Sequence, residues 1–430
     1  MNDYNPFDDI LKDERLIIDS KVTINNVIII TAHLLEQKSI KCPVCNSIDL
    51  TRNGKAKRTI TDKLYYDYKT IINLTVQKYQ CKLCSHIFRD STSLLYKKER
   101  ISLHLKLEIL DKLRNDLSLT YIAKEFNVSV TEVYNIFKNN VNIERHELPE
   151  VLCIDEFKNL RSSQNKYACV LYDPINGQII DVLESRRLIN LNEYFYNIPF
   201  EEKSKVKYII SDMYEGFRTV AKHHLHNARH IIDSFHYVRY VNQAVTNIRI
   251  KIMNSYSKST KEYRLLKKYG PLLSLPSRSK KNYESYNPYN KVKESIDLII
   301  QDCIFINPDL KLAYDLKEKF YKGFDMLHYE EAKDFFINFR ESCIQSNLDE
   351  FKALATTIKD WQDEIINSFI RFGDKRLNNG YLEGINNRIK AIKKIGYGYT
   401  NFQYFRNRLM FCINTNEALR YINNKTNKIK

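Results

Sequence analysis

The chain has 430 residues, and its 68 Lys and Arg outnumber 52 Asp and Glu to give a formal charge of +16. This length predicts two to four domains. Hydrophobic residues make up 43%, which excludes wholesale disorder, and the scarcity of Gly (10) and Pro (9) argues against an all-β fold rich in tight turns. The N-terminal residues lack a signal-peptide pattern and no apolar run is long enough to cross a bilayer, so we expect a soluble cytoplasmic protein.

The positive charge is concentrated in residues 251–293 and 371–430. Lys and Arg interleaved with Tyr and Asn favour a nucleic acid as the partner. A solvated basic face is the alternative, because the whole composition is rich in Lys, Asn, Ile and Tyr. Membrane-surface binding is less favoured, since neither terminus has a basic amphipathic helix with a broad apolar face.

Two cysteine pairs predict a zinc ribbon over residues 41–95, after an N-terminal segment (1–40) with one β-like run at 22–31 and no evident chemistry. The pairs are Cys42 with Cys45 and Cys81 with Cys84. Two residues between the thiolates of a pair let both grip one ion, and two such pairs complete a tetrahedral Zn²⁺ site. Unrelated free pairs or a redox dithiol are the alternatives. The remaining cysteines are expected to be buried thiols: Cys153, Cys169, Cys303, Cys343 and Cys412.

Residues 96–146 have the pattern of a helix-turn-helix. Leucines recur at helical spacing from Leu103 to Leu113, and a second helix is expected to end before Asn127. Asn127 suits a left-handed turn and Ser129 suits the cap of the next helix. The exposed face of that helix is expected to read the DNA major groove, through Thr131, Glu132 and Asn135. An ordinary three-helix bundle is the alternative.

Apolar runs at 151–155, 166–172, 178–183, 206–212 and 228–232 predict strands, with helices at 191–196 and 214–222. The expected order is β-β-β-α-β-α-β, with the first and fourth strands adjacent and parallel. Residues 235–370 read as almost entirely helical, apart from a basic, Pro-containing break near 270–290.

Asp155 and Asp212 each end a predicted strand, so their carboxylates are expected at the same edge of the sheet. A third acid, Glu383, lies on a predicted helix. One face of that helix is apolar (Leu382, Ile385, Ile389 and Ile392) and the opposite face is polar (Glu383, Asn387, Lys390 and Lys394). Turn-capping aspartates and a surface glutamate are the alternatives. Glu156 is expected to point to the other face of its strand and is not counted as a ligand.

Hard carboxylate ligands select two Mg²⁺ or Mn²⁺ ions, and such pairs support phosphodiester cleavage by activating an attacking oxygen and stabilising the leaving oxygen. Asp233 and His236 follow the fifth strand. They could assist this chemistry, or they could be a helix cap and a partly buried histidine.

The motifs CPVC, CKLC, IDEF, SDMYEGF, DSFHYVRYVNQA and NGYLEGINNRIKAIKKIGYGYTNFQYFRNRL occur in this order between about residues 40 and 425. Together they resemble the DDE transposases of bacterial insertion sequences of the ISL-three family. The resemblance implies an α/β, RNase H-like catalytic core formed by residues 147–240 and 370–425, with a helical insertion at 241–369. It also implies the triad Asp155, Asp212 and Glu383, and it likens Asp233 and His236 to the D-x-x-H element of Mutator-type transposases.

The expected function is that of a DNA transposase in the bacterial, nucleoid-associated cytoplasm. The zinc ribbon and helix-turn-helix would bind the terminal inverted repeats, and the triad with Mg²⁺ would catalyse strand cleavage and strand transfer. Arg388, Lys390 and Lys394 are expected to bind DNA phosphates, and joining two ends predicts a dimer or larger assembly. The alternatives are a DNA-binding regulator with an inert RNase H-like body and a structure-specific nuclease of the same fold.

Overall fold

The computed structural model describes residues 13–414, apart from 38, 66, 96–98, 278–282, 326, 374 and 397. Residues 1–12 of the predicted N-terminal segment, 278–282 of the basic break and 415–425 of the predicted core lie outside the described residues. The fold is mixed α/β and divides into two compact units. Unit 1 is the described part of residues 1–145, 160–164 and 387–430, and unit 2 is that of 146–159 and 165–386.

Unit 1 begins with a β-sheet. Its strands are β1 (Leu16–Ile24), β2 (Val27–Leu34), β3 (Leu50–Tyr65), β4 (Tyr68–Cys81) and β5 (Ile87–Arg89), in the order β1-β2-β4-β3 with β5 also paired to β4. β2 runs parallel to β4 and the other pairs are antiparallel. On β4, the alternate residues Ile72, Leu74 and Val76 are buried, as a sheet with one packed face requires.

The expectation of one β run at 22–31 was wrong, because the chain reverses there between β1 and β2. Asn25 and Asn26 form the turn with φ of +47° and +61°. Asparagine tolerates this left-handed backbone, which a two-residue hairpin needs at both positions. The boundary predicted at residue 40 therefore falls between strands of one sheet.

Helices α1 (Leu103–Lys112), α2 (Leu119–Glu125) and α3 (Val130–Asn140) follow in unit 1. Each begins at a serine whose side chain accepts a backbone N–H of the first turn: Ser102, Ser118 and Ser129. Asn127 has φ +51° between α2 and α3, as predicted. The helices pack through buried apolar side chains such as Leu110, Ile122, Val133 and Phe137.

Unit 2 holds a second sheet with the predicted topology. Its strands are β6 (Val151–Lys158), β7 (Tyr167–Asp173), β8 (Gln178–Leu183), β9 (Tyr208–Ser211) and β10 (Arg229–Ile232). The order is β10-β9-β6-β7-β8; β6, β7 and β8 are antiparallel, whereas β6, β9 and β10 are parallel. Helices α4 (Leu188–Tyr196), α5 (Phe200–Lys203) and α6 (Glu215–His224) connect the strands. Leu191 of α4 and Phe217 of α6 pack with Leu152 and Ile154 of β6 on one face of the sheet.

The predicted helical stretch comprises α7 (Ser234–Asn254), α8 (Lys261–Leu273), α9 (Ile296–Phe305), α10 (Pro308–Phe324), α11 (Tyr329–Gln345), α12 (Asp349–Asp360) and α13 (Gln362–Asn367). The basic break contains the hairpin of β11 (Glu284–Asn287) and β12 (Val292–Ser295). Helices α7 to α13 share one apolar core, in which Tyr237, Phe320, Phe336 and Phe369 are buried. Among the described helices, none has both the length and the apolar composition to span a bilayer.

The last elements are the short strands β13 (Arg371–Phe372) and β14 (Lys375–Arg376), then α14 (Gly380–Ile395) and α15 (Phe402–Ile413). The division between the units falls within α14, after Asn386. In unit 1, α15 packs with α1 and α3. The buried guanidinium of Arg408 donates to the carbonyls of Leu113, Asn115 and Leu117, so it satisfies backbone acceptors after the end of α1.

Candidate active site and metal centre

Asp155 and Asp212 lie side by side in unit 2 because their strands are parallel neighbours. Asp212 directly follows β9, as predicted. Asp155 does not end its strand, contrary to prediction, because β6 continues to Lys158. The parallel pairing of β6 with β9 stops at Ile154 and Ser211, whereas β6 goes on pairing with β7. Both aspartates are therefore the first residues beyond the last parallel pair.

Both carboxylate oxygens of Asp155 are held by hydrogen bonds. The backbone N–H of Glu156 donates to Oδ1 across 2.7 Å, and Nδ2 of Asn386 donates to Oδ2 across 2.6 Å. Burial raises the pKa of Asp155 to about 7, and the nearby negative charge of Asp212 raises it further, while the Asn386 amide opposes the change. This site therefore disfavours two unscreened negative charges.

His236 and Asp233 complete a cluster around Asp212. Nε2 of His236 lies 2.7 Å from Oδ1 of Asp212. Asp233 caps α7 by accepting the N–H of Phe235. Single ligand atoms of Asp212, Asp233 and His236 all lie within 4.8 Å of one another. The sequence left open whether Asp233 and His236 assist the chemistry or are only a helix cap and a partly buried histidine. In the structure Asp233 is a cap and His236 is partly buried, and His236 also contacts Asp212.

The pKa values of Asp233 and His236 are both raised. Burial raises the pKa of Asp233, with the charge of Asp212 adding to the effect. Burial on its own lowers the pKa of His236, but the hydrogen bond to Asp212 and the charges of both aspartates raise it above its ordinary value. Proton or cation binding is thus favoured here.

Glu383 lies in the first turn of α14 and its side chain is exposed. The predicted faces of this helix are found: Leu382, Ile389 and Ile392 are buried, whereas Lys390 and Lys394 are exposed. Within the described residues, neither Glu383 nor Asp155 belongs to the close group around Asp212. The structure thus brings the two aspartates together but does not gather all three acids into one ligand set.

Asn386 is the site residue that sequence reasoning missed. It follows Glu383 by three positions, so the two lie on neighbouring turns of one face of α14, about 4.5 Å apart along the axis. The sequence did contain a signal for Asn386. This residue lies four positions after Leu382 and three before Ile389, which places a polar side chain at the margin of the buried face of α14. Its Oδ1 is buried and has no hydrogen-bond partner in the described part of the chain.

The residues present fit a divalent cation of the Mg²⁺ class. The charge of Asp212 contributes to the raised pKa of Asp155, so positive charge between the two carboxylates would be favourable. The buried amide oxygen of Asn386 has no partner in the described part of the chain and is a hard donor of the same kind. Asp155, Asp212 and Asp233 would supply carboxylates to such an ion, and His236 would either add a nitrogen ligand or orient Asp212.

A second candidate centre lies in unit 1, where the ends of the β3–β4 hairpin meet. β3 and β4 pair Leu50 with Cys81, which brings the two distant cysteine pairs together. Sγ of Cys42 lies 3.6 Å from that of Cys84, and Sγ of Cys45 lies 3.4 Å from that of Cys81. A tetrahedral Zn²⁺ site with Zn–S bonds of about 2.3 Å separates sulfurs by about 3.8 Å, so the group fits zinc.

The local backbone supports the same centre. Asn46 and Ser85 each follow a cysteine pair and both have φ of +58°, which turns the chain sharply behind the sulfurs. The backbone N–H of Cys84 is the main cause that lowers the pKa of Cys81 to about 6. The backbone of Ser47 lowers the pKa of Cys45, the neighbour of Cys81, but burial and the other three thiols outweigh this and raise it to about 12. Cys81 is therefore the thiolate of this pair. The cluster is compatible with the predicted zinc ribbon. The other cysteines are buried, as expected.

The predicted DNA-contacting residues all lie in unit 1. Thr131, Glu132 and Asn135 are exposed on α3. Glu132 already has a structural task, because its carboxylate accepts the N–H and the hydroxyl of Ser129 in a capping box. Arg388 is also engaged, pairing with Asp116 at 3.1 Å and donating to the carbonyl of Cys412. Lys390 and Lys394 are exposed.

Comparison with known proteins identifies a transposase family. The model of the ISL3 (ISL-three) family of DDE transposases, described as "Transposase", matches residues 152–409, which is more than half of the chain. The transposase for insertion sequence element IS1001 of Bordetella parapertussis is 21% identical over 373 residues, covering 86% of this chain and 87% of that protein. The chain belongs to the ISL-three family of DDE transposases.

Proposed function

We propose that this protein binds the terminal inverted repeats of an insertion sequence and catalyses metal-dependent DNA strand cleavage followed by strand transfer. The observation that carries this proposal is the pairing of Asp155 with Asp212 beyond the last parallel rung of β6 and β9, with Asn386 of α14 donating to Asp155. Glu383 stands one turn earlier on that helix and is the proposed third acid. The strand order β10-β9-β6-β7-β8 supports an RNase H-like core.

In this proposal Asp155, Asp212 and Glu383 hold two Mg²⁺ or Mn²⁺ ions. Such ions, when bound, lower the pKa of an attacking water or 3′-hydroxyl and stabilise the leaving oxygen of the phosphodiester. Asn386 and the Glu156 N–H keep the Asp155 carboxylate oriented and favour its ionised form. His236 holds Oδ1 of Asp212, and Asp233 keeps the start of α7 in place.

Recognition of the ends is assigned to unit 1. The cysteine cluster would hold one structural Zn²⁺, and α2 and α3 would act as a helix-turn-helix that places Thr131 and Asn135 in the major groove. Lys390 and Lys394 are exposed cations suited to phosphates. Arg388 would bind DNA only by exchanging its pairing with Asp116, so it is the weakest member of this set. Joining two ends makes a dimer or larger assembly the expected active form.

A cleavage assay tests the proposal. Purified protein is mixed with a labelled duplex carrying a candidate terminal repeat from the DNA flanking its coding region, with Mg²⁺, Mn²⁺ or EDTA. Nicking at the repeat boundary should require metal and should be lost in Asp155→Asn and Glu383→Gln. The matched control is Glu330→Gln, since Glu330 is also an exposed acid in the first turn of a helix. Retained cleavage in Asp155→Asn would refute the catalytic assignment, and tight binding without cleavage under any metal would support the regulator alternative.

A further inference from the structure

A pocket of about 380 Å³ opens in unit 2 beside the strands that carry the acids. Its walls include Lys166, Tyr167, Arg186, Arg187 and Tyr214. These residues come from the start of β7, the segment after β8 and the turn after β9. The pocket thus collects cationic and aromatic side chains from three different segments, and none of them is among the proposed catalytic residues.

The side chain of Arg186 is held by contacts with three neighbours of the pocket wall. Its guanidinium carbon lies 4.5 Å from the ring centre of Tyr167 and 4.6 Å from that of Tyr214. It also forms an ion pair with Glu156. Stacking against aromatic rings together with a carboxylate contact fixes the planar guanidinium. The pocket wall is therefore pre-organised rather than formed by loose surface side chains.

Gly216 is needed for the position of the Tyr214 ring in the pocket wall. A Cβ atom at this position would lie 2.4 Å from a ring carbon of Tyr214, far inside van der Waals contact. The absence of a side chain at Gly216 lets the tyrosine ring lie against the first turn of α6 and face Arg186. The sequence SDMYEGF thus encodes the position of Tyr214 as well as Asp212.

The pocket carries an excess of positive charge. Glu156 pairs with Arg186. Lys166 and Arg187 are exposed, and neither forms an ion pair with a carboxylate in the described part of the chain. Both tyrosine rings already stack on Arg186, so the open space offers cations rather than free aromatic faces. Such a surface suits a phosphate group better than a nucleobase.

The location connects the pocket to the acids. Glu156 adjoins Asp155, and successive residues of a strand point to opposite faces of the sheet. Tyr214 follows Asp212 by two residues. A DNA strand that passes over this edge of the sheet would therefore meet the acids and the pocket in succession.

We propose that this pocket binds a backbone phosphate of the reacting DNA strand, near the scissile bond, through Lys166 and Arg187 on a wall fixed by Arg186. The inference rests on the proposed function and deepens it, since it names a substrate subsite on the sheet itself. It predicts that one or two particular phosphates near the cleavage boundary contribute to affinity through these side chains.

The test is a methylphosphonate scan. A repeat duplex is prepared with one neutral methylphosphonate at each position flanking the cleavage boundary, and dissociation constants are measured in EDTA for the wild type and for Lys166→Ala/Arg187→Ala. In the wild type, one or two positions should weaken binding about 3- to 10-fold, and that penalty should vanish in the double variant. The slope of log affinity against log salt should also become shallower by about 1 to 2.

Lys205→Ala/Lys207→Ala is the matched control, because it removes two exposed unit 2 lysines that pair with Glu147 and Glu150 outside the pocket. It should keep the full positional penalty. The inference is overturned if the wild type binds the repeat but no flanking position shows a penalty specific to Lys166 and Arg187. A wild type without preference for the repeat duplex would instead refute the proposed function, and this inference with it.

Discussion

Nδ2 of Asn386 donates to Oδ2 of Asp155 across 2.6 Å, although 231 positions separate the two residues in the sequence. The contact joins α14 to β6 within unit 2. It holds the one oxygen of Asp155 that the backbone of Glu156 leaves open. Asn386 is therefore a positioning residue of the candidate site, acting through Asp155.

Asn386→Ala is expected to weaken binding of Mn²⁺ to the protein about 10-fold, because outer hydrogen-bond partners of metal ligands typically contribute 10- to 100-fold to affinity. Loss of the amide donor also raises the pKa of Asp155 further, so less of it is ionised near neutrality. Free Mn²⁺ measured by electron paramagnetic resonance gives this affinity without relying on catalysis.

Asn387→Ala is the control for this prediction, since Asn387 is the next residue and is exposed. Asp155→Asn should reduce the affinity at least as much as Asn386→Ala. If Asp155→Asn weakens Mn²⁺ binding and Asn386→Ala does not, the positioning role is wrong while the metal site stands.

The cysteine cluster predicts one tightly bound zinc per chain. Cys45→Ser should abolish this zinc, because three thiolates bind it far more weakly, and should loosen the ends of β3 and β4. Metal content by mass spectrometry and the thermal midpoint report both effects. Cys343→Ala, at a buried thiol among the helices of unit 2, should keep the zinc. Zinc loss in both variants would count against this site.

His230 predicts a loss of stability in acid. Burial, together with the charge of Arg218, lowers its pKa to about 3, and its Nε2 lies 2.8 Å from Oγ of Ser211. Since the unfolded chain binds the proton near pH 6.5, stability is complete above that value and is lost as the pH falls towards 3. The expected loss between pH 7 and pH 5 is about 2 kcal/mol.

Urea unfolding of the wild type and His230→Gln at pH 7, 6 and 5 checks this prediction. The variant is expected to be less stable at pH 7 but to show a smaller decline on acidification, because the titrating imidazole is gone. The other acids and histidines titrate in both proteins and cancel in the difference. An equal decline in the two proteins would show that His230 is not the group responsible.

Two substitutions in and next to α3 should have different effects, one on folding stability and the other on DNA binding. Ser129→Ala removes the cap that accepts the N–H of Glu132 and should cost about 1 kcal/mol of folding free energy. Asn135→Ala, at an exposed position, should leave stability within about 0.5 kcal/mol. If α3 reads the terminal repeat, Asn135→Ala should lower affinity for that repeat by about 1 to 3 kcal/mol per lost base contact.

Circular dichroism melting and binding to repeat and scrambled duplexes distinguish these effects. A variant of Asn135 that binds the repeat as tightly as the wild type would place base reading elsewhere. Glu132→Gln is predicted to act mainly on stability, since the carboxylate serves the capping box.

Local features of this protein were predictable from the sequence. The cysteine spacing, the left-handed Asn127, the cap at Ser129 and the faces of α14 each depend on residues within one or two turns of chain. The five strands of the second sheet were also predicted, because continuous apolar runs bounded by polar residues signal buried strands.

The remaining features depended on partners distant in sequence. Asp155 lies within β6 because β6 goes on pairing with β7 to Lys158, after its pairing with β9 has ended at Ile154. The residues of β6 alone do not reveal how far each neighbouring strand pairs with it. Arg388 was expected to bind DNA phosphates, yet it pairs with Asp116 and donates to the carbonyl of Cys412. Nothing in the sequence indicated that Arg408 would donate to the carbonyls after α1. Sequence alone thus determined which elements form and which residue types could carry the chemistry. Only the tertiary structure decided which of them meet, because contacts such as that of Asn386 with Asp155 arise from the packing of elements whose registers are set by the whole unit.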